Sequence, residues 1–122
     1  MIKSYRDLKV WERAMDLVVG SYQLAKLLPR DELYGLISQI RRAAVSVPAN
    51  IAEGHGRDHL GDYLHHLSVA SGSLTELETH LLIAHRLAYV KMSDVTPLVL
   101  TAEVGRMLAG LSRKLKTVTS VV

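Results

Sequence analysis

Three groups of residues in this chain carry functional groups that could do chemistry: a polar set at 41–54, histidines among carboxylates, and clustered basic side chains. The stretch 41–54 reads RRAAVSVPANIAEG. It places Pro48, Asn50 and Glu53 among small and apolar residues, inside a helical pattern. A straight helical wheel turns Asn50 and Glu53 away from the row Ile37, Ala44 and Ile51. If they face solvent they need no partner. If another subunit encloses them they must be hydrogen-bonded, because an unpaired buried amide or carboxylate is costly. By reach and type, Arg41, Arg42, Arg57, Ser73 and Thr75 are the available partners. This favours an interhelical network that sets register over a catalytic site.

The six histidines raise metal binding. His55 and His59 are four apart, but Gly56 and Gly61 disturb the helix around them. His65 and His66 point in different directions. Glu76 and His80 share a helix face. Ferritin-like sites need Glu-x-x-His on two helices plus further glutamates. Glu76 to His80 is one residue too long for that motif, and Glu78 to His80 is one too short. No metal or cofactor is expected. The chain has no cysteine, which removes disulfides and thiolate catalysis. It has no GxxxxGK[ST] or GxGxxG phosphate loop. Glu76 and Glu78 face different ways, which weakens them as an acid–base pair. The expectation is a protein that is not an enzyme.

Basic side chains offer a different chemistry. Arg6, Lys9 and Arg13 form a stripe, Arg41 and Arg42 a local pair, and Arg113, Lys114 and Lys116 a second patch. Such clusters contact phosphates without reading sequence. Residues 1–57 carry nine basic and six acidic side chains, 58–99 two and five, and 100–122 four and one. Both ends are basic and the centre acidic, which suits an anion at the ends or head-to-tail contact between subunits. Asp7, Glu12 and Asp16 interrupt the first stripe, and no helix-turn-helix, zinc-finger or RRM signature accompanies it. Weak, sequence-independent RNA or DNA binding is therefore the alternative. A scaffold or assembly adaptor, with a protein partner, is the first reading.

The elements that must position these groups are helices, expected near 5–28, 32–54, 59–90 and 97–116. Ser4 is a candidate first cap, with Asp7 in the opening turn. Two apolar rows follow: Leu8, Trp11, Met15, Val18, Tyr22 and Ala25, then Val10, Ala14, Leu17, Leu24 and Leu28. Two rows make a face broad enough to seal a subunit interface, unless both simply face neighbouring helices. Pro29 stops the helix and Asp31 is a candidate cap for the next. Pro48 implies a kink or repacked turn, since Ile51 continues the pattern. Gly54 and Gly56 end that helix. The third row runs Tyr63, Leu67, Ala70, Leu74, Leu77, Leu81, Ala84 and Ala88, a spacing that fits left-handed knobs-into-holes packing. Gly72 within it suggests a close backbone approach. Thr96 and Pro97 open the fourth helix. Short joins then give one all-α domain over 1–122, an antiparallel up-down-up-down four-helix bundle. The opening residues lack the apolar core of a signal peptide, and no run approaches the ~20 residues of a membrane span. The expected address is cytoplasmic.

Several motifs together resemble a known family. They are DLKVWERAMDL at 7–17, ELYGL with QIRRAAVSVPANIAEG at 32–54, Tyr63 and its helix, ASGSLTELET at 70–79, and the leucine spacing at 107–115. In these the chain resembles the four-helix-bundle proteins encoded in intervening sequences of bacterial 23S ribosomal RNA genes. The resemblance implies a left-handed up-down bundle and ring-like homo-oligomers, pentamers in particular. It also implies a distant similarity to the pentameric accessory proteins of diversity-generating retroelements, which bind RNA and a reverse transcriptase. It implies no catalytic residue. The motif positions Arg41, Arg42, Asn50, Glu53, Gly54, Ser73 and Glu76 correspond, and Pro48 stands where the motif often has another residue.

Overall fold

The computed structural model describes residues 2–94 and 96–121, with side chains to Thr117. Four α-helices follow one another: α1 (Lys9–Ala25), α2 (Leu36–His55), α3 (Leu60–Arg86) and α4 (Thr96–Val121). Single 3-10 turns precede α1, α2 and α4, at Tyr5–Asp7, Arg30–Glu32 and Met92–Asp94. Helices α1 and α3 each pack on both α2 and α4, and the α2–α3 seam is the most extensive. This is an all-α four-helix bundle whose contacts are consistent with up-down packing. Among the described residues no helix is long and apolar enough to cross a membrane.

Helix ends follow from local chemistry, in places differently from expectation. Ser4 caps the 3-10 turn before α1: its Oγ accepts from Arg6 N at 3.1 Å, and Asp7 Oδ2 accepts from Ser4 N at 3.1 Å. The turn uses the capping groups, so α1 begins later, at Lys9. Pro29 leads into the next 3-10 turn with extended backbone. Glu32, not Asp31, then serves the start of α2, where its Oε1 accepts from Leu36 N at 3.2 Å. Its other oxygen accepts from the Tyr89 hydroxyl at 3.0 Å, tying the exit of α3 to the entry of α2. That hydrogen bond, more than burial, raises the Tyr89 pKa. Helix α2 continues through the buried Pro48 to His55.

Most of the expected apolar positions meet at the centre, whereas Met15 and Tyr22 stay exposed. Leu17, Ile40, Ile51, Leu67, Leu77, Leu81 and Leu108 are fully buried. The α3 row is buried from Leu67 to Ala84, with Tyr63 packed against its start. Ala88 departs from it. Helix α3 stops at Arg86 because Ala88 takes a left-handed conformation, φ 60°. There Ala88 N donates to His85 O and Tyr89 N to Ala84 O, both at 3.0 Å. This pair of bonds closes the helix as glycine usually does. A left-handed alanine costs about 1–2 kcal/mol. Ala88→Gly should therefore raise stability by roughly 1 kcal/mol, net of glycine's larger chain entropy. Urea denaturation checks this, and a lower midpoint would refute it.

Candidate interaction surfaces

The polar motif of α2 forms a bridge to α3. Asn50 Nδ2 donates to Ser46 O at 2.8 Å and to Ser46 Oγ at 3.0 Å. Asn50 Oδ1 lies 3.0 Å from His66 Nδ1, and Ser46 Oγ lies 2.7 Å from Ser73 Oγ. The chain Ser73–Ser46–Asn50–His66 thus crosses the seam twice. An amide that donates to Ser46 must accept from the imidazole, which places a proton on His66 Nδ1. Ser73 belongs to this chain. Glu53 does not: it pairs with Arg57 at 2.7 Å on the outer surface of α2. Thr75 donates back to Ser71 O instead of reaching Asn50. Glu76 sits 3.2 Å from His80 and 3.7 Å from Arg42, a short surface string.

Gly54 lets the seam close. A Cβ there would lie 2.7 Å from His66 Cβ and 3.3 Å from Tyr63 O. Gly72, expected at a close approach, lies in open space: a Cβ would meet nothing within 4 Å.

The basic side chains have divided fates. Arg13 grips Glu103 of α4 with two bonds, Nε to Oε1 at 3.0 Å and Nη2 to Oε2 at 2.8 Å, while Nη1 bonds Asp16 at 2.9 Å. The Glu103 carboxylate is held below its ordinary pKa by that hydrogen bond. Arg13 is thereby a link between α1 and α4. Arg42 contacts Gln39 and Glu76. Arg6 lies over Tyr5. Arg41 lies over the Tyr22 ring, 5.2 Å from its centre, and its Nε is buried without a hydrogen-bond acceptor. Lys9, Arg113, Lys114 and Lys116 are exposed. The two patches and Arg41–Arg42 therefore do not merge into one uniformly free basic stripe. Among the described residues no group of three or more His, Cys, Asp or Glu side chains could hold a metal ion.

A different surface emerges on α1. Of its two apolar rows, Val10, Ala14, Leu17 and Leu24 face the core. Of the other row, Ala25 is buried and Leu8, Trp11 and Val18 pack against the core, while Met15 and Tyr22 remain outside, with Val19 beside them 56% exposed. Beside them lies an open groove of ≈ 620 Å³ lined by Tyr22, Leu33, Tyr34, Arg41, Arg42 and Val45, with two serines. Tyr34 is 94% exposed at this groove. Periodicity announced a broad apolar face but not which of its side chains would point outward. Ser46, His66 and Glu103 carried no local signal of their contacts.

The profile of the family described as "23S rRNA-intervening sequence protein" matches residues 6–110. No curated protein matches the chain. Among solved structures, a protein of unknown function from the S23 ribosomal protein family of Bacteroides thetaiotaomicron VPI-5482 superposes with a TM-score of 0.78 at 22% identity. The match covers 85% of this chain and 95% of that one. At that identity the likeness shows the fold.

The seam geometry makes a paired prediction. Gly54→Ala should destabilise by about 1–3 kcal/mol, because a methyl group would overpack a fixed backbone contact. Gly72→Ala, in an open helical position, should stabilise by roughly 0.5–1 kcal/mol. Equal denaturation midpoints for the two variants would refute the close approach at Gly54.

Proposed function

The chain belongs to the 23S rRNA-intervening sequence protein family, and from that premise we propose that it is a non-enzymatic scaffold, an assembly adaptor that works as a closed homo-oligomer. The family assignment is consistent with a non-enzymatic protein. One observation carries the reading: Met15, Val19 and Tyr22 of α1 stay exposed beside the apolar groove between α1 and α2. A contiguous apolar face of this kind marks an interaction site more often than an isolated exposed leucine does. In its finer form the proposal has helices running up-down-up-down with a left-handed twist. Five copies close a ring in the cytoplasm, and a protein partner docks on it. The ring number rests on the family resemblance. Closed symmetry supports it by using one contact repeatedly without leaving an open end.

Sedimentation and light scattering over a concentration series test this. The wild type should form one discrete assembly of five copies. Val19→Asp, which leaves the core row intact, should shift it towards monomer. A monomer at all concentrations would end the scaffold reading, and a discrete dimer would remove the pentamer.

A second reading, weak sequence-independent RNA or DNA binding, is supported by Arg113, Lys114 and Lys116. These are exposed and have no ion pair among the described residues. The proposed distant relation to retroelement accessory proteins belongs with this reading. Arg6 and Lys9 can add contacts, and Arg41 and Arg42 are secondary candidates, whereas Arg13 is already bound to Glu103 and Asp16. A ring would repeat each patch, so weak single contacts would act together. Binding to labelled RNA should weaken steeply with salt, by a log–log slope of about 0.7 for each phosphate neutralised on a single strand. Replacing Arg113, Lys114 and Lys116 with Gln should reduce that slope. No binding at low salt would end this reading.

A further inference from the structure

We propose that the α1–α2 groove receives the outer face of α3 from a second copy of this chain, with the second copy's Glu78 on Arg41. This rests on the self-association proposed above and names its contact. The groove supplies one side of the match. No carboxylate lines it, and its walls are mainly apolar, with Tyr22, Leu33, Tyr34 and Val45. Its two cations differ. Arg42 is 3.7 Å from Glu76 and also contacts Gln39. Arg41 has no ion pair among the described residues, and its buried Nε has no acceptor. A half-buried guanidinium with unused donors is matched best by a carboxylate, which accepts from two of its nitrogens at once.

The chain itself carries the complementary group. Most of its carboxylates are engaged: Glu53 with Arg57, Glu76 with His80, Asp16 and Glu103 with Arg13. Glu32 bonds Leu36 N and Tyr89, while Asp7 and Asp94 hold backbone N–H groups. Of the remainder, Glu12 and Asp31 belong to α1 and to the turn before α2, elements that adjoin the groove rather than the outer face of α3. Asp58 and Asp62 stand among glycines and histidines. Glu78 is exposed on α3, one helical turn before the exposed Leu82. Next to it, Thr79, Leu82, Ile83, His85 and Arg86 line a shallow concavity of ≈ 300 Å³, with Arg86 two helical turns beyond Glu78. A carboxylate beside an apolar patch thus complements a guanidinium beside an apolar groove. Because α1 and α3 lie diagonally, each packed on α2 and α4, the two surfaces face different ways. Their contact is head-to-tail, the type that closes into a ring or continues as a filament.

Charge exchange tests the pairing. Arg41→Glu and Glu78→Arg should each weaken association roughly tenfold or more, because like charges would meet in every contact. The double variant should restore assembly. Mixing the two single variants should restore association between unlike copies, since each offers the group that the other lacks, although strict alternation cannot close a ring of five. Arg41→Gln and Glu78→Gln, which introduce no repulsion, should weaken assembly less than the reversals. Sedimentation reads the assembly, and circular dichroism melts confirm that each variant is folded. Should a reversal prevent folding, the Gln variants decide alone: association unchanged from wild type overturns the pairing, and weakening by both supports it. Association unaffected by the reversals, or unrestored in both the double variant and the mixture, also overturns it while leaving self-association intact. A wild type that is monomeric throughout overturns the scaffold reading and this contact together.

Discussion

The bundle depends on how closely α2 can approach α3. At Gly54 the two backbones come so near that a single added carbon would collide with His66 and crowd the carbonyl of Tyr63. That approach brings the polar side chains of one helix within reach of the other. Ser46 and Ser73 meet at 2.7 Å, and Asn50 reaches His66 at 3.0 Å. These groups are short, so a seam wider by an ångström or two would leave them unpaired in a partly buried position. The apolar row and the polar chain are two consequences of one spacing. Buried Ile51 and Leu67 fill the interior side, and the hydrogen-bonded groups fix which turn faces which.

Around that seam the remaining helices are joined by fewer, longer-range links. Arg13 and Glu103 tie α1 to α4 through a forked pair, a geometry that holds orientation better than a single contact. Glu32 joins the start of α2 to Tyr89 beyond α3. Both links lie at the periphery, where solvent weakens their contribution to stability. Their role is alignment more than cohesion, which comes from the buried leucines, isoleucines and valines.

A four-helix bundle of 122 residues has limited interior, and α1 carries more apolar side chains than that interior takes. The inner row is filled by Val10, Ala14, Leu17 and Leu24, so Met15 and Val19 are left on the surface. The same surplus places Tyr22 under Arg41, which is shielded from water without gaining a carboxylate partner. The apolar side chains that cannot enter the core thus lie on the surface beside that shielded cation.

Much of this architecture was legible from the residues alone. The steps of three and four from Leu67 to Ala84 placed the buried face of α3, and the pattern through Ile51 carried α2 past Pro48. Those are near-neighbour effects, set by helical geometry. Ending α3 at Arg86 was less legible, because Ala88 adopts a conformation usually taken by glycine. The prominence of Asn50 in its block was visible, but its partners Ser46 and His66 were not, and Glu53 turned out to bind Arg57 beside it. Arg13 looked like a phosphate ligand until α4 brought Glu103 to it from 90 residues away. Sequence by itself determined the helices and the supply of apolar and charged faces, because periodicity and composition act locally. Only the tertiary structure decided which apolar side chains of α1 stayed outside, which cations found carboxylates and where glycine was needed, because these depend on how far apart the helix axes settle.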